Sequence, residues 1–242
     1  MGLRASWRSR PGLRGHETNP RQRRRAPRGS GRERSPSKNL LVSYTSVLGR
    51  RPGTGVGHFE SKWRIEEHAR ASGLLATIVR PGTFMELLLV PSFGLSPWGL
   101  QFFVHPDQPM QLIAGEDIGV LTARVFAEPR THVGTTLEMA GDSLTGNALA
   151  EKISRATGTS ITCARFPSEV LDASPMLRKL VKLFDDGMVA ERADIPARRR
   201  MAPGLLTFDA WLERGDAAAI RERVAAWRPA GGFQPRRKNT AG

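Results

Sequence analysis

The stretch between residues 39 and 82 constrains the fold of this chain more tightly than any other. Asn39–Ser46 (NLLVSYTS) is a short apolar, β-branched run ending in hydroxyls, which reads as a buried strand. Leu48–Gly57 follows with Pro52, Gly53, Gly55 and Gly57 and reads as a loop. In Phe59–Ser72 the residues Phe59, Trp63, Ile65, His68 and Ala69 lay an apolar stripe along one side of a helix, and Gly73 stands where a helix C-cap belongs. Leu74–Val79 (LLATIV) is a second buried strand, stopped by Arg80-Pro81-Gly82. Two strands joined by a connection of helix length cannot form a hairpin. They form a parallel βαβ unit, and that commits the chain to an α/β architecture.

Downstream, Leu100–His105 and Met110–Ala114 read as short strands around the turn Pro106–Pro109. Asp117 is placed to N-cap a helix over Ile118–Ala127. Thr135–Met139 reads as a strand, and Thr145–Thr157 as a helix entered through Ser143 and Thr145 and closed by Gly158. Ile161–Phe166 is a further strand. Ser168–Val189, Phe208–Glu213 and Ala217–Trp227 supply amphipathic helices, so the last third is the more helical part.

Charge divides the chain into three. Residues 1–38 hold 12 of the 37 Lys and Arg against only Glu17 and Glu33, and few aliphatics, so they read as a disordered basic tail. Residues 228–242 add Arg228, Arg236, Arg237 and Lys238 with no acid and read the same way. Between them, 39–227 carries 21 basic and 21 acidic residues and forms the folded portion. The net charge of +14 therefore belongs to the tails, and nucleic acid is not expected as a ligand except through Arg21 and Arg23–Arg25. The single cysteine, Cys163, excludes an internal disulfide and a cysteine-rich metal site, and its apolar surroundings point to an inert thiol. No metal ligand set is expected. The longest run free of polar residues near the strand ends, Leu87–Val90, is far too short for a membrane span, and the basic start lacks the apolar core of a secretory signal. A cytoplasmic protein without membrane contact is the resulting expectation.

Three polar residues could carry chemistry. Ser46 lies at a strand's carboxyl end, and His58 and Lys62, four apart, share a face of the next helix. In a βα unit that helix begins beside the strand's carboxyl end, where open α/β sheets bind ligands. Serine could donate to a carbonyl, histidine move a proton, and lysine hold ribose hydroxyls or lower a neighbour's pKa. The spacing alone is more often that of a solvated lysine and a packing or capping histidine. Arg80-Pro81-Gly82-Thr83-Phe84-Met85-Glu86 could offer main-chain hydrogen bonds to a planar carboxamide with Phe84 and Met85 as an apolar wall, or be an ordinary strand-ending turn.

The run HFESKWRIEEHARASGLLATIVRPGTFME, His58 to Glu86, closely resembles the NmrA-like family, atypical members of the short-chain dehydrogenase/reductase superfamily. YTSV at Tyr44–Val47, EDIG at Glu116–Gly119, LEMAGDSLT at Leu137–Thr145 and FDAWLE at Phe208–Glu213 continue the likeness in order, over about residues 39–215. The resemblance implies a Rossmann-like parallel sheet with a small helical C-terminal subdomain for substrate or partner. It implies NADP, ahead of NAD, as cofactor. Tyr44, Thr45, Ser46, Lys62, Pro81, Gly82, Thr83 and Phe84 would be the cofactor-binding residues. Lys62, His58 and Ser46 would be the catalytic group.

Two departures qualify that expectation. The superfamily uses Ser and Tyr-x-x-x-Lys; here Ser46 and Lys62 match, but His58 stands where Tyr would. Such replacement is common in this branch, where several members look like sensors that bind NADP without turning it over. Glu86-Leu87 also replaces the Glu-Asn of the family's usual Phe-Met-Glu-Asn. The second departure is the glycine-rich pyrophosphate loop that opens a dinucleotide fold, for which residues 1–38 offer no strand-and-turn counterpart. The first strands and that loop, on the order of a hundred residues at about 30 per βαβ unit, are expected to be missing from this chain. GTGVG at Gly53–Gly57 resembles the loop only superficially. The expected function is an NAD(P)H-dependent oxidoreductase of a small molecule, impaired by that loss. The alternative is a non-catalytic NADP-sensing regulator that binds a protein such as a transcription factor.

Overall fold

The computed structural model describes residues 41–48, 52–90, 94–96, 99–187 and 192–226. The two basic tails, with Asn39 and Leu40, lie outside the described residues, as does part of the Leu48–Gly57 loop. The βαβ unit is present as expected: β1 (Leu41–Thr45), α1 (Gly57–Ala71) and β2 (Leu75–Pro81), the two strands parallel with Leu41 opposite Leu75 and Thr45 opposite Val79. Gly73 adopts φ 71°, just past the last helical turn, which is the role its lack of a Cβ suits.

The chain then passes through β3 (Thr83–Phe84), a 3₁₀ turn at Met85–Leu89, β4 (Leu95–Ser96), β5 (Gly99–Phe102) and β6 (Pro109–Ile113). After α2 (Gly115–Ala127) and α3 (Pro129–His132), β7 (Thr136–Met139) pairs parallel with β2, giving a sheet of order β1-β2-β7 with β1 at the edge. β8 (Asp142–Thr145) leads into α4 (Gly146–Thr157), then β9 (Cys163–Arg165), α5 (Ser168–Ala173), α6 (Pro175–Asp185), α7 (Ile195–Met201), α8 (Phe208–Trp211) and, beyond a wide turn at 212–216, α9 (Ala217–Ala226). Two further three-stranded sheets, β3-β6-β8 and β4-β5-β9, carry the part beyond the βαβ unit.

The two strands read around Pro106–Pro109 are present as β5 and β6 and enter different sheets, β5 pairing with β4 and β9 and β6 with β3 and β8. Alternating apolar residues cannot specify which partner a strand takes. Three sequence expectations change. Ile65 and His68, read on the apolar stripe of α1, are exposed, whereas Glu66 is buried. Asp142–Thr145, read only as the entry to a helix, is a strand antiparallel to β6. Asp117 does not cap α2, which begins two residues earlier after Ala114. Its carboxylate is buried and accepts the Leu206 N–H at 2.9 Å, and burial raises its pKa. Thr145 caps α4 as expected, accepting the Ala148 N–H at 3.1 Å, and Gly158 ends that helix at φ 67°.

The main core runs from Met85 through Leu100, Met110, Leu149 and Ile153 to Phe208 and Ile220. Each such side chain contributes about 1.5–3 kcal/mol on burial. A second cluster (Val79, Ile113, Leu121, Met139) seals α2 against the β1-β2-β7 sheet, and a third (Val56, Phe59, Leu183) joins the start of α1 to α6. The helical C-terminal elements are thereby drawn over the carboxyl end of β1 and β2.

Candidate functional site

The carboxyl ends of β1 and β2 open onto a pocket of about 440 Å³. Its floor is Pro81, Gly82, Thr83 and Phe84, and Val47, Leu48, His58 and Phe59 form one wall. The opposite wall comes from α6, through Met176, Leu177, Leu180 and Phe184, with Phe103, Met110 and Phe166 between. Among the described lining residues none is Lys, Arg, Asp or Glu, and His58 is the one titratable group.

Gly82 occupies a place only glycine fits, since a Cβ there would lie 2.7 Å from the Gln111 carbonyl oxygen. Its N–H is bonded to the Met139 carbonyl at 2.9 Å, and the Pro81 carbonyl accepts the Leu48 N–H at 3.1 Å. The turn's main-chain groups, expected to face a carboxamide, are therefore partly committed to the fold, leaving lone pairs on the carbonyls. Phe84 is exposed as the expected apolar wall, but Met85 turns into the main core. Glu86 is engaged elsewhere, its Oε1 accepting the Gly115 N–H at 2.9 Å.

Tyr44, Thr45 and Ser46 end β1. Lys62 reaches back to them: its Nζ donates to the Thr45 carbonyl at 3.0 Å and stands 5.5 Å from the centre of the Tyr44 ring. The Ser46 N–H is bonded to the Val79 carbonyl at 2.8 Å, whereas its hydroxyl is buried and has no hydrogen-bond partner. A buried hydroxyl left without a partner among the described residues costs about 1–3 kcal/mol, although Ser46 itself is not among the pocket's lining residues. His58 packs edge-on to Phe59, with ring centres 4.7 Å apart. Burial lowers its pKa, and the nearby Lys62 ammonium lowers it further. Lys62 thus stands between His58 and the end of β1, one residue from Ser46, but of the three only His58 lines the pocket.

The glycines of GTGVG are otherwise employed. Thr54 and Gly55 donate their N–H groups to Glu60 Oε1 at 2.7 and 3.1 Å, and the Thr54 hydroxyl adds a third bond at 2.9 Å. These bonds hold the Glu60 carboxyl below the usual range. The nest that could cradle a phosphate already cradles a carboxylate from its own chain. Cys163 is half-buried, and burial pushes its thiol up to about 11, with Asp107 adding to the shift, in keeping with an unreactive side chain.

Sequence reasoning missed the α6 wall and Gln111. The α6 residues carried a usable signal, because Met176, Leu180 and Phe184 recur every four positions. Gln111 did not. It is buried, accepts the N–H groups of Arg192 and Ala193 at 3.1 and 2.9 Å, and donates to the Ala193 carbonyl at 2.8 Å, contacts that exist only after long-range folding.

A parallel sheet crossed by helices, with a pocket at its carboxyl edge and a lysine beside the strand ends, defines a Rossmann-like α/β protein. Known structures agree. NmrA, a negative transcriptional regulator, solved in complex with NADP, matches with 17% identity and TM-score 0.57 over 78% of this chain and 68% of that one. Its complex with NAD matches with 18% identity and TM-score 0.57 over 76% and 66%. An NADPH-dependent quinone oxidoreductase from Escherichia coli matches with 20% identity and TM-score 0.57 over 72% and 66%. The chain thus spans about two thirds of the length of these structures. The family model described as the NmrA-like family matches residues 46–194, and the chain belongs to that family. No helix among the described residues is long and apolar enough to cross a membrane.

Proposed function

We propose that this chain binds the nicotinamide end of NADP or NAD, NADP preferred, and serves as an NAD(P)H-dependent oxidoreductase of an uncharged, apolar carbonyl compound or alkene. The carrying observation is the charge-free pocket at the carboxyl edge, bordered by His58, with the unpartnered Ser46 hydroxyl and Lys62 at the adjoining strand end. NmrA solved with NADP and with NAD, and the quinone oxidoreductase solved with NADPH, support a nicotinamide dinucleotide as the cofactor. Lys62 and Ser46 hold the ribose and carboxamide region, and Pro81–Phe84 support the ring against the apolar floor. A bound reduced nicotinamide supplies the hydride. His58 delivers the proton to the substrate oxygen, and the Lys62 charge that lowers its pKa makes its imidazolium the stronger acid. The Thr54–Gly55 amides, committed to Glu60, leave the pyrophosphate without a cradle among the described residues, so we expect weak nucleotide binding. No metal takes part in this reading.

A second reading has an observation of its own. The imidazole in place of a phenol favours a non-catalytic regulator that reports NADP through a protein partner such as a transcription factor, and NmrA is a negative transcriptional regulator. One set of measurements separates the two. Thermal unfolding of the full chain with millimolar NADPH and NADH should show a nucleotide-dependent rise, equal to about 2.7 kcal/mol at a hundredfold excess over Kd. No rise with either nucleotide refutes both readings. A rise with turnover on a carbonyl panel that disappears in Lys62→Ala and His58→Ala supports the enzyme, and a rise without turnover supports the regulator.

A further inference from the structure

Away from the pocket, an open groove of about 650 Å³ runs between α2, α3 and α7. It lies beside the amino ends of the strands, since the His132 carbonyl at its rim accepts the Thr77 hydroxyl at 2.8 Å and β7 begins at Thr136. Arg124 projects from α2, His132 from α3, and Arg198 and Arg200 from α7; Glu128 is the one carboxylate among the described lining residues. The three guanidiniums make no hydrogen bond or ion pair among the described residues. Arg70, Arg80, Arg165, Arg178 and Arg214, by contrast, all hold a carboxylate. Arg198 is half-buried and its Nε is buried without a partner. The carboxylates that act on it from Asp194 and Glu138 are already occupied, Asp194 by the Ala197 N–H at 2.9 Å and Glu138 by Arg80 at 3.0 Å. Burial and the neighbouring Arg200 both work against its charge.

Arg124 and Arg200 are exposed and hold no carboxylate among the described residues, while Asp194 and Glu138 only partly offset the charge of half-buried Arg198 beside them, so the concavity keeps a net positive charge. A bound anion can take it up, because planar N–H forks match phosphate oxygens two at a time. The concave form and limited extent favour a small ligand over a nucleic-acid strand. Arg199, the middle residue of the basic run, turns away to the Gly141 carbonyl at 2.7 Å, so there is no continuous basic face to follow a backbone.

We propose that the groove formed by Arg124, Arg198, Arg200 and His132 is a binding site for a soluble, phosphate-bearing small molecule of the diphosphate class. The test is calorimetric titration of the full chain with inorganic pyrophosphate at low ionic strength. Wild type should bind saturably. Arg124→Ala/Arg200→Ala, both exposed positions whose loss leaves the core intact, should weaken binding by about tenfold or more, as the loss of two charge-assisted contacts requires. Glu128→Gln should tighten it, which no contribution from the basic tails can mimic. Equal affinity in wild type and the double variant places the anion on the tails and overturns the proposal, as does the absence of binding. Vesicles containing phosphatidic acid form the second arm: groove-dependent vesicle binding without pyrophosphate binding overturns the assignment to a soluble anion. Arg198→Lys, which keeps charge but loses the fork, should bind more weakly than wild type while melting at an unchanged temperature.

Discussion

Replacing Arg80 with leucine strips two guanidinium contacts from a carboxylate that has no exposure to water. Glu66 Oε1 and Oε2 accept from Arg80 Nε and Nη2 at 3.2 and 3.0 Å, and Oε2 also accepts from Arg70 at 2.9 Å. Arg80 further binds Glu138 at 3.0 Å, so one side chain ties α1 to β2 and β7. Arg70 is 42% exposed at its side chain and water screens it, so it cannot replace the lost partner. Removing one member of a buried ion pair costs about 3–5 kcal/mol when the other charge is left uncompensated, and the remaining Arg70 contact places Arg80→Leu toward the lower end of that range. At about 2–4 °C per kcal/mol for a domain of this size, calorimetry should record a melting temperature lowered by roughly 6–20 °C. Glu66→Leu/Arg80→Leu should recover most of that loss, because burying two apolar groups leaves no orphan charge at Glu66. A single variant that loses less than about 1 kcal/mol, or a double variant as unstable as the sum of the singles, would refute the reasoning. Since Pro81 follows Arg80 directly, the same variant should also loosen the pocket floor.

Other perturbations report on the site. Ser46→Ala should leave the unliganded melt unchanged or raise it by up to about 1 kcal/mol, because it removes a buried hydroxyl without a partner, and it should shrink the NADPH-induced rise; a lower unliganded melt contradicts the assignment. If the His58 imidazolium delivers the proton, turnover should fall as pH rises through its pKa, which lies below the ordinary 6.5, and a pH–rate profile of His58→Ala should lack that inflection. Gly82→Ala brings a Cβ to 2.7 Å from the Gln111 carbonyl and should cost about 1–3 kcal/mol by chemical denaturation, with the pocket floor displaced. An unchanged denaturation midpoint would mean that β6 yields freely.

The sequence was sufficient where the signal is local. Hydrophobic runs and a helix-length connection dictated β1-α1-β2, because a parallel pair admits no shorter route. Thr145 and Gly158 marked both ends of α4, since capping uses groups within a few residues. Spacing by four put His58 and Lys62 on one helical face, and Lys62 reaches the Thr45 carbonyl at the strand's end. What local signals could not decide was partnership. The strands at 99–102 and 109–113 look alike in sequence, yet they enter different sheets, a choice made by which sheet edge each meets after the chain has folded. Asp117 has the residue type of a cap but is claimed by a backbone N–H 89 positions away. The glycines at 53–57 could serve a phosphate until Glu60, one turn into the following helix, occupies them. The pocket's second wall and the arginine groove both depend on where α6 and α7 dock, and docking is driven by apolar area summed over distant segments. Residue types that can do chemistry are thus written in the sequence, whereas which of them lack a partner and remain available to a ligand is decided only by tertiary structure.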